Sequence, residues 1–364
     1  MQALAVFPAK RHLQLVEIPQ PRLQRATDVL LRVQEVGLCG TDREISSFEY
    51  GSPPPGSDHL ILGHESLAEV VEVGPEVHSL RPGDLVVAIV RRPCSHSRCR
   101  PCRAGRSDFC TTGDFTERGI KHADGFLTEY VLDDQEYLVK VPKTLAEVAV
   151  LIEPLTVVSK AAIQAQAIFG RLPYEPGLQR GLVLGAGPVG LLGAMVLVAN
   201  GYEAVVYSRE PEGGDKGSLV HSLGASYISA ASQPLENLAE KTGEFDVVLE
   251  AVGYAPVMMA AARPLAANGV IALTGIPAEG AAEKINVGRA LRDMVLKNQV
   301  VFGTVNAGRR DYRAAIQLLE QFMVLFPESV RRLITRRRPL DEASRMLKQG
   351  EGIKNVVQLS LRAA

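Results

Sequence analysis

Short apolar runs broken by glycine and proline dominate the first 140 residues. Gln2–Phe7, Val29–Val36, Ala68–Val73, Leu85–Val90 and Tyr137–Val141 read as strands, and Gly74-Pro75 and Pro82-Gly83-Asp84 read as turns between them. So many short, punctuated strands predict a barrel-like, all-β domain. After about residue 145 the period changes. A helical stretch, Leu145–Phe169, leads into the strand Gly181–Leu184, the helix Pro188–Ala199, the strand Ala204–Tyr207 and a helix near Lys216–Leu223. Strands at Phe245–Glu250, Val270–Thr274 and Val300–Val305 continue the series. Strands alternating with helices predict a doubly wound parallel sheet, and so an α/β chain overall. The remainder carries one long helix, Tyr312–Phe326, and short strand-like pieces expected to return to the first domain. The expected domains are therefore residues 1–177, 178–305 and 306–364.

At 364 residues the chain exceeds one ordinary hydrophobic core, which agrees with two main domains. A formal net charge of −1 gives no general pull toward nucleic acid or anionic membranes. The basic cluster Arg331, Arg332 and Arg336 to Arg338 reads as a solvated face of a helix–strand unit. Met1 to Pro8 lacks the pattern of a signal peptide. The longest apolar stretch, Gly190 to Ala199, is far short of the roughly 20 residues that span a bilayer. A cytoplasmic protein is expected. Four of its five cysteines fall between residues 94 and 110, a clustering that in the cytosol points to metal rather than to disulfides.

After the apolar strand comes Gly185-Ala186-Gly187-Pro188-Val189-Gly190, then a helix. GxGxxG in this strand–turn–helix setting is a dinucleotide motif. Gly185 permits the tight turn, Gly187 lets backbone amides approach a pyrophosphate at the helix N-terminus, and Gly190 permits close helix–strand packing. The end of the next strand chooses the cofactor. Ser208 and Arg209 suit a 2′-phosphate and favour NADP, while Glu210 behind them is the residue that could favour NAD instead.

Cys94, Cys99, Cys102 and Cys110 offer four thiolates, the closed shell of a structural zinc. The lobe carrying them is expected at about residues 91–112. Cys39-Gly40-Thr41-Asp42 and Gly63-His64-Glu65 offer a thiolate, an imidazole and a carboxylate. Such a set leaves a position for substrate, as catalytic zinc requires. Glu153, in Leu151-Ile152-Glu153-Pro154-Leu155, lies where the domains should meet. A carboxylate in so apolar a run needs a partner, and zinc would serve. Two zinc ions per chain are expected.

In this order and spacing, CGTD, GHE, the four-cysteine lobe, E-P-L and GxGxxG resemble the zinc-containing medium-chain dehydrogenases over essentially the whole chain. The finer likeness is to the glucose 1-dehydrogenase family. Words such as Phe109-Cys110-Thr111-Thr112-Gly113-Asp114-Phe115, His122-Ala123-Asp124-Gly125-Phe126, Ser208-Arg209-Glu210-Pro211 and Gly303-Thr304-Val305-Asn306 carry it. The resemblance implies a GroES-like β-barrel catalytic domain with a Rossmann domain. It implies Cys39, His64, Glu65 and Glu153 around the catalytic zinc, with the two glutamates entering and leaving its shell. Thr41 would bond the substrate oxygen and begin the proton path, Asp114 would face sugar hydroxyls, and Asn306 would touch sugar and nicotinamide. Ala186 to Val189, Ser208 and Arg209, Thr274-Gly275-Ile276 and Thr304-Val305-Asn306 would line the cofactor. A homo-oligomer, dimer or tetramer, is also implied.

The expected reaction is hydride transfer from the C1 hydroxyl of an aldose to NADP, giving an aldonolactone. A polyol, threonine or simple alcohol is the alternative substrate, and a non-catalytic NADPH-binding protein the alternative of another class. The chain also departs from the family. The first cysteine spacing is x4 where x2 is usual, and His96 sits in the lengthened loop, where a histidine can replace a thiolate. Val90, Val157 and Leu296 stand where glucose enzymes often carry polar groups, which would shift or relax the choice of sugar.

Overall fold

A computed structural model describes residues 1–174, 179–277 and 287–359. The described chain forms two compact units. One comprises Met1–Glu153, Asn306–Leu319 and the chain from Ile334; the other comprises Pro154–Val305 and Glu320–Leu333. The units thus divide at Glu153/Pro154, inside a helix, while the boundary expected at 177/178 lies outside the described residues.

The first unit is built around the strand Asp28–Leu38, whose burial is nearly continuous. Glu65–Val73 pairs antiparallel along most of it. On its other edge, Tyr130–Asp134 takes the first half and Lys354–Gln358 the second, as Leu38↔Asn355 through Glu35↔Gln358. Leu85–Ala88 and Leu138–Val141 extend the sheet beyond Glu65–Val73. Ile334–Pro339 lies parallel to Lys354–Gln358 at the far edge. Gln2–Phe7 pairs with His12–Glu17 and Leu60–Ile61 in a smaller sheet. Leu4, Val6, Val29, Leu31, Val33, Val36, Leu60, Leu62 and Phe126 fill the core between these strands.

The second unit is a six-stranded parallel sheet in the order Ser226–Ser229, Glu203–Ser208, Arg180–Leu184, Phe245–Glu250, Leu265–Leu273, Val300–Gly303. The first strand in sequence, Arg180–Leu184, lies at the centre, so the order reverses there. That reversal is the topological switch point where open α/β sheets bind ligands. The helix Pro188–Ala199, buried from Gly190 to Leu197, leaves the same strand.

Strand and helix identities follow the hydrophobic pattern, with ends displaced by a few residues. Three elements differ more, the first being the strand expected at Val270–Thr274, which runs over Leu265–Leu273. Where a helix is expected over 145–169, a 3-10 turn at Lys143–Leu145 and a second at Ala149–Leu151 precede the helix Ile152–Phe169. The helix near 312–326 starts early, at Arg309, where Asp311 accepts from the Gly308 amide at 2.8 Å. The basic cluster does lie on a helix–strand unit, Pro327–Leu333 and Ile334–Pro339. Arg337 departs from the expected solvated face, since it pairs with Glu35, which is 1% exposed. No helix of the described residues is long and apolar enough to cross a membrane.

Candidate active site and metal centres

Cys39 closes the central strand and caps the helix Gly40–Ser46. Asp42, at the third helical position, accepts from the Cys39 amide at 2.8 Å, and the Cys39 side chain meets the amide in return. This reciprocal capping fixes where the thiol stands. Asp42 has further work. It is 0% exposed, its other oxygen accepts from the Gly63 amide at 3.3 Å, and that oxygen lies 3.3 Å from His64 Nδ1. Burial opposes its charge, but His64, the Cys39 amide and Lys354 outweigh burial and hold its carboxyl below the usual range.

One ligand atom each from Cys39, His64 and Glu65 lie within 4.8 Å of one another, and His64 and Glu65 are buried. Burial alone would push the His64 pKa down; Asp42 and Cys39 reverse that and raise it well above the ordinary value. Glu65 is the surprise. Lys354 Nζ donates to both of its oxygens at 2.6 Å and to the Leu38 carbonyl at 3.3 Å, with both side chains almost wholly buried. The strand register explains the meeting. Gly37 pairs with Glu65 across one edge, and Lys354 begins the strand on the other. A Cβ on Gly37 would stand 2.1 Å from Glu65 Oε2, so only glycine leaves the carboxylate its room. Glu153 stands outside the three-residue group. Burial pushes its carboxyl up to about 7, tempered by His64, and Glu65 and Asp42 add to the rise. Thr41 is half-buried in the first turn after Cys39.

The four remaining cysteines form the second cluster. All four sulfurs lie within 4.8 Å of one another, with Cys94–Cys102 at 3.7 Å and Cys99–Cys110 at 3.9 Å. Sulfurs about 2.3 Å from a tetrahedral zinc stand about 3.8 Å apart, so the donor set fits that metal. All five cysteines are free. His96 Nε2 instead meets the Asp114 carboxylate on the exposed surface. Beside the lobe, Arg91 Nε donates to Glu117 at 3.0 Å within a buried pair, and the Arg91 guanidinium stacks 3.8 Å over Phe115. Asn306, at φ +60°, donates through Nδ2 to the same Glu117 oxygen at 2.6 Å.

In the second unit the glycine-rich turn has the required form. Gly185 sits at φ +104°, and a Cβ on Gly190 would stand 2.0 Å from the Gly185 carbonyl. Gly187 caps the helix that Pro188 begins, with nothing within 4 Å of where its Cβ would be. The open space at a helix N-terminus suits a pyrophosphate. Thr274 donates through its amide and its hydroxyl to the Glu250 carbonyl, at 3.0 and 2.7 Å. Gly275 and Ile276 follow, Ile276 being exposed. Lys160 and Gln164, one turn apart on Ile152–Phe169, hold the Val305 carbonyl at 3.0 Å and the Thr304 hydroxyl at 2.9 Å. Ser208 is buried at its strand end and Arg209 is exposed on the turn beyond. Of the apolar departures, Val90 is buried, Val157 half-buried and Leu296 exposed.

Asp42, Lys354 and Glu117 were not among the expected site residues. Asp42 has a local signal, a carboxylate three positions after an N-cap. Lys354 and Glu117 have none, because only long-range pairing brings them to their partners.

Residues 25–143 match the model of the alcohol dehydrogenase GroES-like domain, and residues 146–359 match the glucose dehydrogenase C-terminus. The chain belongs to the glucose dehydrogenase family. Its first unit is accordingly GroES-like and its second a Rossmann-type sheet. A glucose 1-dehydrogenase of Methanocella arvoryzae is 37% identical over 361 residues, 99% of each chain. Another from Thermoproteus tenax is 41% identical over 344 residues, 94% of each. The Haloferax mediterranei glucose dehydrogenase, solved in complex with NADP, Zn and gluconolactone, superposes with a TM-score of 0.89 at 30% identity, covering 100% of both chains.

Proposed function

We propose that this chain oxidises the C1 hydroxyl of an aldose, glucose or a similar sugar, to the aldonolactone with reduction of NADP, using one catalytic and one structural zinc. The carrying observation is the buried cluster of Cys39, His64 and Glu65, set in a chain that matches glucose 1-dehydrogenases end to end. The Haloferax neighbour's gluconolactone, NADP and Zn support product, cofactor and metal together. Polyol, threonine and simple-alcohol oxidation, and a non-catalytic NADPH-binding role, have no comparable support.

Cys39 and His64 are the metal's protein ligands on this reading, joined by Glu153 or Glu65. Asp42 orients the imidazole from its far side, as carboxylates behind metal-bound histidines do. Zinc in that position supplies Lewis acidity that makes the substrate hydroxyl easier to deprotonate, and the nicotinamide supplies the hydride acceptor. Thr41 accepts the hydroxyl proton at its Oγ and passes it outward. Asp114 and Asn306 take the remaining sugar hydroxyls, and Lys160 and Gln164 keep the cofactor-lining pair Thr304-Val305 in place. Cys94, Cys99, Cys102 and Cys110 hold the structural zinc. We read the assembly as a cytoplasmic homo-oligomer, dimer or tetramer, which sedimentation would test.

Metal analysis should find two zinc ions per chain. Cys39→Ala should abolish turnover on every sugar in a panel of aldoses, polyols, threonine and ethanol, while NADPH still binds. Near-normal turnover in that variant would sink the catalytic assignment. A wild type preferring ethanol or threonine to every aldose would remove the sugar.

A further inference from the structure

Ser208, Glu210 and Lys216, at and beyond the end of the second Rossmann strand, make a closed electrostatic unit. Ser208 ends that strand, Arg209 follows on the exposed turn, and Glu210 comes next. One oxygen of the Glu210 carboxylate meets the Ser208 hydroxyl and the other meets the Lys216 ammonium. The Tyr227 hydroxyl donates to Glu210's own carbonyl at 3.0 Å and fixes the turn that carries it. Lys216 stands in the first turn of the helix Asp215–Ser222. The end of this strand is where a dinucleotide fold receives the adenosine ribose. An anion of the chain's own therefore already sits on a hydroxyl and an ammonium, the donors a phosphate monoester would use there.

We propose that Lys216 is a third determinant of 2′-phosphate recognition beside Ser208 and Arg209, and that Glu210 is a built-in competitor for the same donors. The proposal rests on the NADP reading above. A 2′-phosphate brings close to two negative charges and three acceptor oxygens, against the single charge of Glu210, so it displaces the carboxylate and takes Lys216 and Ser208. An unphosphorylated ribose has nothing to offer these cations. Its 2′-hydroxyl donates to a carboxylate, and Glu210 left in place serves it. The same four side chains thus receive either cofactor, with Glu210 swung away for NADP and held in for NAD. Glu210 stays ionised through neutral pH: burial works against its charge, but Lys216 and Ser208 outweigh burial and keep its carboxyl below the usual range.

The test is binding of 2′,5′-ADP and 5′-AMP to the full-length, zinc-loaded protein by calorimetry, which needs neither sugar nor turnover. A lost charge-assisted contact predicts that Lys216→Met weakens 2′,5′-ADP by about tenfold or more and changes 5′-AMP by less than about twofold. Lys216→Arg should restore the discrimination. Glu210→Gln should tighten 2′,5′-ADP by roughly threefold or more, since the competing charge is gone. Equal losses of both ligands in Lys216→Met, or weaker 2′,5′-ADP binding in Glu210→Gln, would overturn the proposal. A wild type that binds the two ligands equally would instead remove the NADP reading on which it stands.

Discussion

Lys354 is the residue on which the first metal cluster balances. Around it stand Asp42, Glu65, Glu153 and Cys39, an excess of acid that burial alone would not tolerate. The ammonium engages both oxygens of Glu65, so that carboxylate is committed to a cation before any metal arrives. Lys354→Met keeps the volume and removes the charge. Taking one partner from a buried pair costs about 3–5 kcal/mol, so zinc-free Lys354→Met should unfold at markedly lower urea. With zinc bound the loss should shrink, because the released Glu65 carboxylate has a second cation to meet. Urea midpoints with and without chelator check this; an equal loss in both would show that Glu65 never turns to the metal.

At the scale of elements, the cysteine lobe does more than hold itself together. Ser107 Oγ donates to the Arg91 carbonyl at 2.9 Å, and Arg91 Nη1 donates to the Asp108 carbonyl at 3.4 Å. Arg91 then pairs with Glu117, which receives Asn306. A rigid 3-10 turn of the lobe, Ser107–Phe109, is therefore linked through two buried charges to a side chain we assign to the sugar. Glu117→Gln should raise KM for the best aldose by roughly tenfold, a loss of about 1–1.5 kcal/mol typical of one polar contact. The KM for NADP should hold. If both constants rise together, Glu117 serves the fold and does not aim Asn306. The two groups of candidate ligands that the structure brings together were legible in the sequence, because Cys and His spacing is local and its chemistry is specific. Arg91 and Glu117 were illegible, since a charged residue in a short strand looks like solvated surface until the partner strand is known. His96 shows a third case. Its oddity was visible in the x4 spacing, yet only the folded loop sends it to Asp114 while the four sulfurs group together.

Taken whole, the first unit should be sensitive to acid at particular anchors. Asp28, fully buried at the start of the central strand, accepts from the Gln24 and Arg25 amides at 3.0 and 2.8 Å and from Arg25 Nε at 3.0 Å. Burial disfavours its charge, but those amides and Arg25 prevail and its pKa is lowered. A depressed folded pKa contributes stability that is complete above the unfolded value of about 3.9 and is lost as pH falls through the folded one. Asp28→Asn should thus lower stability near neutrality and flatten its acid limb below about pH 4. Urea titrations of wild type and variant between about pH 3 and pH 7 would show it, and parallel curves would exclude Asp28 as an acid anchor. The order of the six-stranded parallel sheet is another whole-molecule property, since hydrophobic periods announce strands without saying which neighbours they take.

The clamp on Glu65 also sets a timetable. Cys39 follows the central strand, His64 precedes the strand that Glu65 begins, and all three are made well before Lys354, which lies on the strand Lys354–Gln358, the last one described. Until that strand is made, only the His64 imidazolium stands against the thiol and carboxylates of the cluster, and the central strand lacks a neighbour along Glu35–Leu38. The pocket joins Glu65 to Lys354 across a sequence separation of 289 residues, and a chain released before the strand Lys354–Gln358 would carry every candidate metal ligand without the ammonium that pairs with Glu65.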